Sequence, residues 1–208
     1  MAITTYAELQ TSIANWLNRD GDTPLIAVIP DFIVLAEADI NRRVRHWRME
    51  KRATATIDSR YSALVGDYLE TIRFHIEPDG RPLDLLSSYE MQRRRMNSGD
   101  VTAPPTSYAI TGGQIEVFPT PDAGYTGELY YVSRTEALSD SNTSNWLLQY
   151  YPDAYLYGAL IQSAPYLAED QRTQTWAALY QNAIDAINSE SEKAKFSGSG
   201  LRMQIKAY

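Results

Sequence analysis

Thr71-Ile-Arg-Phe-His-Ile-Glu77 decides the fold class. Ile72, Phe74 and Ile76 alternate with Arg73, His75 and Glu77, which is the period of a half-buried strand. Working outward, Pro78-Asp-Gly80 turns the chain, and residues 81–86 are expected to return it as the hairpin partner. On the amino side the period has already changed from helical by Ala53, since Thr54, Thr56, Ile57, Tyr61 and Leu64 are strand-like. On the carboxyl side Ser87 opens a short helix over residues 88–96, and a loop over 97–105 follows. Strands are then expected over 106–110 and 114–118, joined by Thr-Gly-Gly, whose glycines supply the positive φ of a tight hairpin. A further strand over 127–134 places Leu129 and Tyr131 on one face.

Helical periods flank this region. Thr5 and Glu8 form a T-x-x-E capping box, and Tyr6, Leu9, Ile13, Trp16 and Leu17 recur at helical spacing. A second helix is expected to start near Pro30, with Phe32, Ala36, Ile40, Val44 and Trp47 in one stripe and the arginines largely off it. Residues 145–167 are aromatic-rich helix, and Pro152 and Pro165 should each start or kink one. The last helix, over 169–188, carries Trp176, Tyr180, Ala183, Ile184 and Ile187 on one stripe.

The order helix, sheet, helix reads as α+β. The expected architecture is a four-helix bundle built from the N- and C-terminal helix pairs (1–52 and 145–188). An antiparallel β-rich lobe with one short helix is inserted at 53–144, and an extended C-terminal arm spans 189–208. In that arm Ser197-Gly-Ser-Gly200 is a flexible hinge by composition, and Leu201, Met203 and Ile205 alternate with Arg202, Gln204 and Lys206. A strand pattern without a neighbouring hairpin partner suits β-addition to another chain, so Phe196, Leu201, Met203, Ile205 and Tyr208 are the candidate docking residues. A disordered tail is the other reading.

No catalytic constellation stands out. Cysteine is absent, which removes disulfides, thiol nucleophiles and thiolate metal sites and fits a reducing cytoplasm. His46 and His75 have no partners at metal-ligand spacing, and each reads as a surface residue. No G-x-S-x-G, H-E-x-x-H or P-loop sequence occurs. Glu169-Asp170 could serve glycoside hydrolysis, but acidic residues at a helix start are better explained by the helix dipole. The expectation is a non-enzyme with no cofactor and no metal. The opening MAITTYAELQ lacks a basic region followed by an apolar stretch, and no apolar run reaches the ~18 residues of a membrane span, so a soluble intracellular product is expected.

The net charge of −7 argues against a general nucleic-acid binder. Its distribution is uneven. Six of the nineteen basic residues, Arg42, Arg43, Arg45, Arg48, Lys51 and Arg52, fall between Asn41 and Arg52, whereas only Arg134 and Arg172 stand against ten acidic residues between Glu116 and Glu190. Such separation suits contact between copies or steering of partners; two solvated faces would look the same. Arg42, Arg43, Arg45 and Arg48 accordingly read as an inter-subunit or DNA-facing cluster. Carboxylates of a neighbouring subunit are favoured over phosphates by the overall charge.

The segments TYAELQTSIANWLNRD and IPDFIVLAEADINRRVR, followed by TGGQIEVFPTPDAGYTGELYYVSRTEALSD and NWLLQYYPDAYLYGALIQSAPYLAED, resemble phage head-to-tail adaptor (connector) proteins of the podophage type, related to tail tubular protein A. The likeness covers most of residues 5–188 as a pattern and contains no single diagnostic motif. It implies a structural subunit of the virion neck, assembled in the host cytoplasm as a dodecameric homo-oligomeric ring. That ring would join the portal protein to the tail nozzle or tail tube around the DNA channel, with transient non-specific contact to genomic DNA and no membrane. It also implies that the segment after Ser189 reaches the portal. Another neck or tail-completion protein, or a DNA-contacting packaging factor, is the alternative.

Overall fold

A computed structural model of the chain describes residues 3–78, 80–167 and 172–196. Two compact units emerge, one drawn from Met1–Arg48 and Thr135–Tyr208, the other from Met49–Arg134. Among the described residues there are six α-helices and eight strands in two four-stranded sheets. The chain is therefore mixed α+β, and the expected four-helix bundle with an antiparallel lobe is incorrect.

Helix α1 (Tyr6–Trp16) opens as the capping box requires: Thr5 Oγ1 accepts from Glu8 N at 3.3 Å, and Glu8 Oε2 accepts from Thr5 N at 3.0 Å. Helix α2 (Thr23–Arg43) begins a full two turns before Pro30, because Asp22 caps it, accepting from Leu25 N at 3.2 Å, and Pro24 occupies its first turn. Its buried stripe runs Leu25, Ile29, Phe32, Ile33, Ala36, Ile40 and on to Val44. Val44 itself is extended (φ −90°, ψ 132°), so Trp47 leaves the helical stripe.

The departure from four helices lies in residues 145–167. Tyr151 adopts φ −137°, ψ 58°, ending α4 (Trp146–Tyr150), and α5 (Pro152–Leu167) starts afresh at Pro152. The ring of a proline disfavours helical backbone in the residue before it, which breaks the aromatic stretch in two. Helix α6 (Thr173–Phe196) buries Trp176, Tyr180, Ala183, Ile184 and Ile187 as its sequence period indicates, but it runs past the expected end at residue 188, so residues 189–196 are helix and not part of an extended arm. Gly158 of α5 lets three helices approach closely, since a Cβ there would stand 3.2 Å from both Ala36 of α2 and Tyr180 of α6. No helix among the described residues is long and apolar enough to cross a membrane.

In the second unit, β1 (Glu50–Ile57), β8 (Tyr125–Ser133), β3 (Tyr68–Glu77) and β4 (Arg81–Pro82) form one sheet in that order. The other runs β2 (Tyr61–Ala63), β7 (Gln114–Phe118), β6 (Ser107–Thr111) and β5 (Asp84–Leu85). The return from Glu77 is split: β4 stays antiparallel to β3, whereas β5 crosses into the second sheet and pairs parallel to β6. The lobe is thus not wholly antiparallel. Ile57, Phe74, Ile76, Leu129 and Tyr131 of the first sheet share one core with Tyr108, Ile115 and Val117 of the second. The β6–β7 hairpin turns on Gly112 (φ 59°) and Gly113 (φ 77°), as its glycines require.

Strand β3, which decided the fold class, has two register shifts against β8, one between Tyr68 and Glu70 and the other within the Thr71–Glu77 stretch. Register passes from Thr71↔Tyr131 to Arg73↔Tyr130, leaving Ile72 as the extra residue of a bulge. Ile72 is 50% exposed, so the alternation read from sequence applies to Phe74 and Ile76 but not to Ile72. Helix α3 (Ser88–Ser98), capped by Ser87, belongs to this unit and buries Met91.

Candidate functional site

The end of α2 and the turn after it gather the basic cluster together with aromatic rings. Asp39 pairs with Arg42 at 3.4 Å and Arg43 at 3.3 Å, three and four residues on, as helical neighbours do. Arg43 also donates to Gln181 and lies 5.1 Å over the Tyr180 ring, so α6 holds it. Burial, with the hydrogen bond to Asp39, pushes the Tyr180 hydroxyl well above its ordinary pKa, which keeps it a donor to that carboxylate at 2.9 Å. Arg45 turns back on its own helix, donating through Nη1 to Asn41 O (3.0 Å) and Val44 O (2.7 Å), carbonyls that the helix end leaves open.

Arg48 has a different setting. Its guanidinium lies 4.5 Å from the Trp47 ring centroid and 4.3 Å from that of Tyr150, a cation between two exposed aromatic faces. Contacts of this type are worth ~0.5–2 kcal/mol each, depending on desolvation. Beneath them His46 is 2% exposed, stacked on Trp146 at 5.0 Å and edge-on to Tyr151 at 5.8 Å. The expected surface role of His46 is incorrect: its Nδ1 accepts from Arg48 N at 3.2 Å and shapes the turn. Burial, then Glu190, raise the Tyr151 hydroxyl to about 12. Thus Arg42, Arg43, Arg45 and Arg48 are gathered at one helix end, each with partners in its own unit. Trp47 and Tyr150, which complete this surface, were missed because nothing in their spacing shows that α4 lies beside the α2 turn.

His75 is likewise not a surface residue, being 6% exposed. It stands opposite Glu128 across β3 and β8, with Glu77 two residues further along the same face. His75 Nε2 lies 3.5 Å from Glu77 Oε1 and 3.7 Å from Glu128 Oε2, and its ring stacks on Tyr130 at 6.2 Å. Arg52 holds the other Glu128 oxygen at 3.1 Å. Hydrogen bonding from Tyr130, then Arg52, keeps the Glu128 carboxyl below its ordinary pKa. The H-x-E spacing is readable in sequence; the register that brings Glu128 opposite is not.

Of the candidate docking residues, Phe196 ends α6, whereas Leu201, Met203, Ile205 and Tyr208 lie outside the described residues, as do Ser197-Gly-Ser-Gly200 and Glu169-Asp170. The gathered geometry offers an aromatic and cationic contact surface at the end of α2 and a mixed imidazole and carboxylate cluster on the sheet. A search of curated proteins finds no match. The sequence does match the SU10 adaptor protein family, over residues 4–204 and so through both units. The chain belongs to the SU10 adaptor protein family, and on that ground it is a phage adaptor-type structural protein.

Proposed function

We propose that the chain is the head-to-tail adaptor subunit of a tailed bacteriophage, of the podophage type related to tail tubular protein A. The observation that carries this reading is the family match from residue 4 to residue 204. In this reading twelve copies, assembled in the host cytoplasm, form a ring in the virion neck. The ring joins the portal to the tail nozzle or tail tube around the DNA channel and performs no catalysis.

The α2 end supports a role in contact between subunits. Trp47, Arg48 and Tyr150 are of the residue types that protein interfaces favour, and their rings are exposed. Arg42, with its side chain 70% exposed, adds a second cation within reach of a neighbour's carboxylates. The units are expected to meet genomic DNA only transiently and non-specifically. The docking arm is Phe196, at the end of α6, with Leu201, Met203, Ile205 and Tyr208 beyond it, and the alternating residues after the hinge add a strand to the portal; repetition around a ring turns modest contacts into a tight joint.

Mixing the full chain with purified portal rings and imaging the product tests the reading. A ring of twelve copies on the portal is expected, and deletion of residues 197–208 abolishes it. Absence of any portal complex overturns the adaptor assignment; a truncated chain that binds as well as the intact one removes the docking arm.

A further inference from the structure

We propose that His75, Glu77 and Glu128 form a binding site for a divalent transition metal of the zinc class on the face of the first sheet. The strand geometry puts them there: His75 and Glu77 are an i, i+2 pair on β3, and Glu128 is the residue paired with His75 on β8. Their ligand atoms all lie within 4.8 Å of one another.

The two approaches to His75 have the spacing of ligands on a shared ion. At 3.5 and 3.7 Å, the approaches of His75 Nε2 to the two carboxylates are longer than good hydrogen bonds. Ligands held ~2.0–2.2 Å from a tetrahedral zinc stand about 3.4 Å apart. His75 is more than nine-tenths buried, and the ring nitrogen it turns to the two carboxylates is Nε2.

The donor set selects the class of metal. An imidazole nitrogen with two carboxylates suits zinc and its neighbours, whereas calcium and magnesium favour all-oxygen shells. Glu128 is arranged as a ligand with an outer partner, one oxygen turned to the cluster and the other on Arg52 at 3.1 Å. The cluster opens on a cleft of about 550 Å³ lined also by Ile72, Arg73 and Tyr130, which leaves room for water at the remaining coordination position. Two features limit affinity: Arg52 offsets part of the Glu128 charge, and Nδ1 lacks the acceptor that usually orients a ligating histidine. Binding is therefore weaker than at structural zinc sites.

Calorimetric titration of the chelator-treated full chain with Zn²⁺ tests this, with Co²⁺ absorption as a second readout. One saturable ion per chain is expected, with affinity falling about tenfold or more in His75→Gln and in Glu77→Gln. Glu77 is half exposed, so its variant keeps the fold even where loss of the buried His75 disturbs it. Failure to bind either ion overturns the proposal, and so does binding that both variants leave unchanged, which places the ion elsewhere. The outcome is independent of whether the chain joins a portal.

Discussion

Tyr155 donates its hydroxyl proton to Glu37 Oε1 across 3.1 Å, while Asn145 Nδ2 donates to the same hydroxyl at 2.7 Å. The three groups are buried and link α2, the start of α4 and α5 into one network. Glu37 Oε1 also accepts from Leu138 N at 2.8 Å, so the segment returning to the helices after β8 is fixed by the same carboxylate. Replacing Tyr155 by Phe leaves Asn145 and Glu37 each short of a partner in the interior. A loss of ~1–3 kcal/mol of unfolding free energy is expected. Urea denaturation at neutral pH measures it, and an unchanged midpoint would show that water replaces the hydroxyl at no cost.

Glu37 makes the helical unit sensitive to pH. Burial raises its pKa above the ordinary carboxylate value, more than the hydrogen bonds from Leu138 and Tyr155 lower it. The folded chain therefore keeps the Glu37 proton over a range where the unfolded chain has lost it. This contribution to stability falls as pH rises from the ordinary carboxylate value through the raised one. Glu37→Gln retains an acceptor for both donors and removes the titration. Relative to the parent, the variant is expected to gain stability as pH climbs from acid to neutral. A difference that stays constant across that range would refute the assignment.

These elements divide into what the amino-acid pattern reveals and what only packing decides. The Thr5 box, the Gly112-Gly113 hairpin and the α6 stripe are local, each governed by residues a few positions apart, and all three are visible in sequence. Pro30 misleads because it lies two turns inside α2, where it removes one helical hydrogen bond without ending the helix; the informative start signals are Asp22 and Pro24. Ile72 misleads because a bulge shifts the period without altering composition. The burial of both histidines depends on rings and carboxylates more than fifty residues away, Trp146 and Tyr151 for His46 and Glu128 for His75. No window along the chain contains that information.

Arg95 ties the second unit together in a way that lysine cannot reproduce. Its side chain is 9% exposed and donates from Nε to Glu116 (3.1 Å), from Nη1 to Asp100 and Thr120 (both 3.1 Å), and from Nη2 to Val117 O (2.7 Å). The planar fork satisfies acceptors on three sides, whereas an ammonium is a compact point charge. Arg95→Lys is expected to cost on the order of 2–3 kcal/mol, since charged hydrogen bonds to Glu116 and Val117 are lost. Arg60, which also holds Glu116 at 2.9 Å, provides the comparison: being partly exposed, its replacement by Lys should cost clearly less. Equal effects at the two positions would show that Arg95 acts as a simple counter-charge.

Gly127 marks the closest approach inside the same unit. A Cβ on this residue would lie 2.6 Å from Ile57 Cγ1 and 3.1 Å from Phe74 Cε2, both in fully buried side chains of the adjoining strands β1 and β3. Space, and not backbone conformation, forbids a side chain here. Gly127→Ala is expected to destabilise by ~1–3 kcal/mol through overpacking. Gly124→Ala is the matched control, because its Cβ would meet Thr56 at an ordinary 3.5 Å. Ile57→Ala removes the clashing atoms, so the double variant Gly127→Ala/Ile57→Ala should be more stable than the sum of the single losses implies, with a coupling of ~0.5–3 kcal/mol. Strict additivity would mean that the strands part to admit the methyl group instead of pressing on Ile57.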